Sequence, residues 1–145
     1  MNLTIKDKHS LGDTRDAVVR LASQYSTDLE PFKDMSLSDF FSFVSTKIDY
    51  QEDPKGIEFV MRPNVLLSRG KGDCDDKTTF FLAWCILKNI PCGYAIVGNK
   101  LFKPVHHIFP FIILNGKRVD CDATYKTGVL GKTKVWAKRT DRRVI

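Results

Sequence analysis

Gly72-Asp73-Cys74-Asp75-Asp76-Lys77-Thr78-Thr79-Phe80-Phe81-Leu82-Ala83-Trp84-Cys85-Ile86-Leu87-Lys88-Asn89 organises the rest of the chain. Asp73 suits a helix cap, and the acids behind it suit the positive end of a helix dipole. Asn89 can take a left-handed closing conformation, and Pro91 forbids continuation. Between these signals the stretch is apolar on nearly every side, which predicts a helix buried in the middle of the domain. Cys74 stands in its first turn.

Outward from this helix the pattern changes period. Cys92–Gly98 reads as a strand, and Ile108–Leu114 is apolar on both faces, as a central strand requires. Asn115-Gly116 is a two-residue hairpin turn, so Lys117–Asp122 should return antiparallel beside it. Lys134-Val135-Trp136-Ala137 reads as a final strand. On the N-terminal side, residues 14–26 read as a helix capped by Asp13 or Thr14, with Val18, Val19, Leu21 and Ala22 turned inward. A second helix should start after Ser36 or Ser38 and carry Phe40, Phe41, Phe43, Val44 and Ile48. Pro63 suits the first turn of a short helix over 64–68. Helices first and antiparallel strands afterwards predict an α+β fold, with the cysteine-bearing helix packed on an antiparallel sheet.

A chain of 145 residues, with no repeat, linker or low-complexity segment, fits one domain over 1–145. With 43% hydrophobic residues and 10 Phe it is neither disordered nor fibrous. The longest apolar run, Phe80–Leu87, is too short to cross a bilayer, so no membrane association is expected. The opening residues Met1–Lys8 lack an apolar signal region, which predicts a chain that stays in the cytoplasm. Four scattered cysteines fit reduced thiols there better than a disulfide framework. Of the net charge of +6, residues 131–145 supply nearly all, with six Lys or Arg against Asp141. This basic end reads either as a solvated last strand with a frayed terminus, or as an arm docking on an acidic protein or nucleic acid. Nothing in the chain matches a nucleic-acid-binding motif.

A thiol at a helix start receives backbone N–H groups and a positive dipole, both favouring thiolate. Three neighbouring carboxylates, Asp73, Asp75 and Asp76, oppose that, so a partner imidazolium is needed. His106 and His107 enter the central strand, and Asp120 and Asp122 return beside it on one strand face. A cysteine on a helix start, a histidine on one strand and an aspartate on the next can supply nucleophile, base and orienter. The same residues read equally as a satisfied core histidine and strand-end acids. Cys85 reads as a core residue, and Cys92 and Cys121 as inert strand residues. Rival motifs fail. Gly72–Thr78 looks like a phosphate loop but has Asp76 where glycine is required. Pro91-Cys92 lacks the second cysteine of a zinc deaminase. Cys74, His106, His107 and Cys121 have no metal-ligand spacing, so neither metal nor cofactor is expected.

Gly72-Asp73-Cys74-Asp75-Asp76 before a buried helix, followed by Asn89-Ile90-Pro91-Cys92 into a strand, resembles the nucleophile segment of the transglutaminase-like superfamily, relatives of papain-type cysteine peptidases. His107-Ile108-Phe109 is similar to that family's His-x-aromatic strand, and Asp122-Ala123-Thr124 to its Asp-Pro-Thr. Tyr50-Gln51-Glu52-Asp53-Pro54-Lys55-Gly56 and Pro63 resemble the approach to the cysteine in small bacterial and phage members. The resemblance covers about residues 36–125. Ala123 departs from the frequent proline, Pro110 interrupts the histidine strand, and no upstream side chain stands out to complete an oxyanion hole.

The resemblance implies a papain/transglutaminase-like fold with Cys74 as nucleophile, His107 as general base and Asp122 as orienter. His106 and Asp120 are the alternates if the alignment slips. It implies attack on a glutamine amide or peptide carbonyl of a protein or peptide, giving a thioester. An amine resolves the thioester in an acyltransferase, and water in a peptidase or amidase. A second reading, suggested by small phage and prophage members, is a structural or assembly protein of a phage particle, inactive and virion-associated.

Overall fold

The computed structural model describes residues 2–6, 11–53, 57–99 and 107–145. In chain order its elements are β1 (Asn2–Lys6), α1 (Leu11–Gln24), a 3-10 turn (Ser26–Phe32), α2 (Leu37–Lys47), β2 (Asp49–Tyr50), β3 (Ile57–Met61) and α3 (Pro63–Arg69). There follow β4 (Lys71–Gly72), α4 (Cys74–Leu87), β5 (Cys92–Gly98), β6 (His107–Leu114), β7 (Lys117–Asp120) and β8 (Lys138–Arg143). No helix among the described residues is long and apolar enough to cross a membrane.

Helix boundaries follow local chemistry. The Ser36 hydroxyl accepts the Asp39 N–H at 3.1 Å and starts α2. Pro63 opens α3, and Gly70 closes it in the left-handed region at φ 73°. At α4, the Asp73 carboxylate accepts the N–H groups of Asp75 and Asp76, while Asp76 accepts the N–H of Asp73. This reciprocal cap satisfies three of the donors that a buried helix start would otherwise orphan. The expected cap at Asp13 or Thr14 is replaced by an earlier start at Leu11. Thr14 lies inside the helix, buried against the core, where it cannot serve as a cap.

The main sheet has the order β7-β6-β5-β8, antiparallel throughout. One face packs on α4: Cys92, Tyr94 and Ile96 of β5 and Ile108 and Ile112 of β6 join a core that includes α1 and α2. Residues from Asp75 to Cys85 of α4 are all buried, as its uninterrupted apolar character anticipates. Trp84 stacks on Phe40 at 4.3 Å and donates its indole N–H to the Phe32 carbonyl at 2.8 Å. The opposite sheet face encloses a smaller cluster of Ala95, Val97, Phe109 and Phe111, with Trp136 packed against it.

Several expectations are corrected. The last strand is Lys138–Arg143, and Lys134–Ala137 belongs to no strand. The basic end does hold a solvated last strand, and it is the edge strand of the main sheet, paired along β5 from Gly93↔Arg143 to Gly98↔Lys138. Its register is held by charge rather than by apolar alternation. Arg139 reaches Asp120 on β7 with two bonds of 2.7 and 2.9 Å, and Asp141 pairs with Arg118 of β7 at 2.6 Å. These bridges join the opposite edges of the sheet, so the sheet curls over the face that carries Phe109 and Phe111. Pro110 does not interrupt β6. Its carbonyl accepts from Cys121 N at 2.9 Å, so its missing N–H faces past the end of β7, where no ladder bond is due. Finally, not every strand follows the helices: β1 pairs with β3, and β2 pairs parallel with β4, Tyr50 opposite Gly72.

Candidate active site

The short β2–β4 pairing builds one wall of a cleft. Asp49 and Gln51 donate their N–H groups to the carbonyls of Gly70 and Gly72, both at 2.9 Å. A Cβ on Gly72 would lie 2.6 Å from Leu66 Cδ1 and 2.9 Å from Asp76 Oδ2. Glycine is therefore required by close approach, and Tyr50 is set directly beside the start of α4. The cleft encloses about 550 Å³ and is lined by Tyr50, Glu52, Cys74, His107, Asp122, Tyr125, Trp136 and the 127–134 loop.

Cys74, His107 and Asp122 come together here from α4, the first residue of β6, and the turn beyond β7. His107 Nε2 lies 2.8 Å from Asp122 Oδ2. The other oxygen, Oδ1, accepts the Thr124 hydroxyl at 2.6 Å and the Thr124 N–H at 3.3 Å. Both carboxylate oxygens are thus committed, and the imidazole is fixed through Nε2, leaving Nδ1 as the nitrogen turned to other work. Burial alone would raise the Asp122 carboxyl, but the His107 hydrogen bond and charge, with the two bonds from Thr124, hold it below the ordinary value. Trp136 stacks on the imidazole at 5.5 Å between centroids and donates its indole N–H to Thr133 Oγ1 at 3.0 Å.

Of the alternates, Asp120 is engaged by Arg139 and does not meet His107. His106 lies outside the described residues. Cys121 is buried among core residues, its thiol directed at the Val119 carbonyl, 3.4 Å away. Cys85 and Cys92 hydrogen-bond to one another in the same core. None of these three cysteines lines the cleft.

At Cys74 burial and the neighbouring carboxylates outweigh the helix start. Burial, followed by Asp75 and Asp73, pushes its thiol well above the usual range, and Asp122 adds to the rise. A hydrogen bond from the Ile108 backbone opposes the rise. Cys74 therefore rests as a thiol. Tyr50 also keeps its proton, because burial and its bond to Glu52 Oε1, at 3.0 Å, push it upward.

Asp53, Asp73 and Asp76 place carboxylate oxygens within 4.8 Å of one another. Burial and the neighbouring carboxylates push Asp73 upward. Asp73 and Asp76 are also the helix cap, and backbone N–H groups already occupy their oxygens.

Sequence reasoning missed Tyr50 and Trp136. Tyr50 reaches the site only through a two-residue parallel pairing. Trp136 announces itself only as a large aromatic in a charged, otherwise polar end of the chain.

No family model and no curated protein matches the sequence. Among solved structures, the chain is similar to a protein from Cytophaga hutchinsonii described as a candidate cysteine protease, with a TM-score of 0.55 and 13% sequence identity. The match covers 97% of this chain and 60% of that one. At that identity the likeness concerns the fold alone, a mixed α+β arrangement, and this chain spans 60% of the other protein's length.

Proposed function

We propose that the protein is a papain-like cysteine enzyme of transglutaminase-like type, acting on a glutamine amide or peptide carbonyl through a thioester on Cys74. The observation that carries this reading is the His107–Asp122 pair, 2.8 Å apart, in the same cleft as a first-turn cysteine. With the thiol pushed upward by burial and carboxylates, His107 serves as general base during attack. Its Nδ1 takes the sulfur proton as sulfur bonds to the carbonyl carbon. Asp122 holds the ring and stabilises the imidazolium that forms. The developing oxyanion meets the N–H of Cys74, and the Tyr50 hydroxyl joins it by turning its one proton away from Glu52. As the tetrahedral species collapses, His107 returns the proton to the departing nitrogen, leaving an acyl-cysteine. Water or an amine, deprotonated by the same imidazole, then releases the acyl group.

The phage-assembly reading draws no comparable support. Arg139, one of the cations expected to dock, is spent on Asp120 and Asp141 within the fold. The test uses a p-nitrophenyl ester as acyl donor and intact-mass spectrometry as readout. Wild type should show one acyl adduct on Cys74, discharged by hydroxylamine. Adducts persisting in Cys74→Ala, or spread over Cys85, Cys92 and Cys121, would sink the reading.

A further inference from the structure

Lys77 is a charged side chain in an almost wholly buried place, 3% exposed, and the mechanism above does not use it. A buried ammonium is costly unless its donors are taken. Here the Nζ donates to the carbonyls of Ala123 at 3.2 Å and Thr124 at 2.9 Å. Lys77 sits three residues after Cys74, one turn along α4, whereas its two acceptors directly follow Asp122 in a turn with no ladder bonds of its own. Without this contact, nothing in the strand pairing holds the Asp122 turn to the cysteine helix, because β7 ends at Asp120.

The two carbonyls are also chemically coupled to the site. Ala123 C=O and Thr124 N–H belong to one peptide unit. That N–H donates to Asp122 Oδ1, and the Thr124 hydroxyl donates to the same oxygen. A cation on the carbonyl end polarises the peptide and strengthens the N–H as donor at the other end. A continuous run of contacts therefore leads from the Lys77 ammonium through the 123–124 peptide and the Asp122 carboxylate to His107 Nε2.

We propose that Lys77 is a positioning residue: it ties the Asp122 turn to the cysteine helix and so sets the orientation of His107 toward Cys74. Lys77 touches no substrate, and it acts through Asp122. The proposal rests on the reading that Cys74 and His107 work together. Its geometric half, from Lys77 to His107, is independent of any reaction. The charged groups around it are Asp49 on β2, Asp122 and Lys126. Burial lowers Lys77 to about 8, against the pull of Asp49 and Asp122, while Lys126 adds to the lowering. Lys126 is itself paired with Asp49 at 3.2 Å on the surface. The ammonium therefore loses its proton in an accessible range.

The experiment follows the His107 imidazole by ¹⁵N NMR and the iodoacetamide alkylation of Cys74 by mass spectrometry, in full-length protein. Lys77→Met keeps the stem and removes the donors, and Lys77→Gln restores donors without charge. Expected are displaced His107 ring resonances in Lys77→Met, partly restored in Lys77→Gln, with alkylation slowed about tenfold in Lys77→Met. Asp122→Asn should slow alkylation comparably, and Lys77→Met should add little on that background. If Lys77→Met fails to fold, wild type still decides. Its His107 resonances should shift with a midpoint matching the directly observed titration of Lys77. His107 resonances blind to both the substitution and that titration would overturn the proposal, as would fully additive effects of Lys77→Met and Asp122→Asn. If instead alkylation is indifferent to His107→Ala while the resonances respond to Lys77, the enzyme reading fails and the positioning contact stands.

Discussion

The two ends of α4 hold cysteines in opposite circumstances. At the first turn, Cys74 faces a cleft with an imidazole, a carboxylate and a phenol around it. Near the last turn, Cys85 lies fully buried among Phe, Trp and Leu side chains, hydrogen-bonded to Cys92. Burial pushes both thiols upward. A perturbed thiol is therefore not by itself a mark of chemistry on this helix. What separates the ends is partners: His107, fixed by Asp122, stands at one end and apolar packing at the other. The helix supplies the position of the thiol, and the sheet supplies the imidazole that shares its cleft.

The strongest way to break this contrast is to exchange the losses. Cys74→Ala should abolish acyl-enzyme formation while leaving the melting temperature nearly unchanged. His107→Ala should lower turnover by about 10³–10⁴-fold. Cys85→Ala should do the reverse, costing about 1 kcal/mol of stability and no activity. Mass spectrometry of the adduct and thermal unfolding read both sides. Equal loss of acylation in Cys74→Ala and Cys85→Ala would erase the distinction between the two ends.

The packed end should yield the largest loss of stability. Trp84 is fully buried, stacked on Phe40 and hydrogen-bonded to Phe32. Trp84→Ala should cost about 3–5 kcal/mol in urea unfolding, since the cavity cannot collapse among so many rigid rings. A cost below ~1 kcal/mol would show that α4 is not the centre of the core.

How far each end was legible from the sequence follows from the range of the forces involved. The cap at Asp73, the closure at Asn89 (φ 57°) and the hairpin at Asn115-Gly116 (φ 54° and 76°) are local, and each appears in the residues that form it. Local signals placed a cysteine, a histidine pair and two aspartates near one another, and the resemblance, not those signals, singled out His107 and Asp122, which share a cleft with Cys74. Strand β8 was not legible. Its six residues, Lys-Arg-Thr-Asp-Arg-Arg, show no apolar alternation. They become a strand only because Arg139 and Asp141 find Asp120 and Arg118 on a strand about twenty residues earlier. Tyr50 was hidden for the same reason, brought in by Gly72 rather than by its own neighbours.

That account of β8 yields a smaller effect. Arg139→Met keeps the stem over Phe109, where the guanidinium lies 5.3 Å from the ring centroid, but removes both ion pairs. With Arg139 partly exposed, the expected loss is about 1 kcal/mol. It should shrink in high salt, and amide exchange should quicken along β8 before β6. Uniform quickening across the sheet would mean that the pairs do not act on the edge strand in particular.

The smallest effect concerns pH and the carboxylate behind His107. Asp122 titrates below its ordinary value of 3.8 in the folded protein. A depressed carboxyl contributes stability that is complete above the unfolded value and disappears as pH falls through the folded one. The window is therefore below about pH 4, on the acid side of the carboxylate range. Urea midpoints should fall between about pH 6 and pH 3 in wild type, and fall less in Asp122→Asn, which cannot titrate. The difference should be of the order of one hydrogen bond, about 1 kcal/mol, because burial of the carboxylate offsets part of what His107 and Thr124 supply. Asp28, also depressed by its bond to Arg62, titrates in both proteins and cancels from the comparison. An acid slope identical in the two proteins would mean that the carboxylate is no better held in the native state than in the unfolded chain. A steeper slope in Asp122→Asn would reverse the sign and place the stabilising proton on Asp122, leaving His107 without a charged orienter.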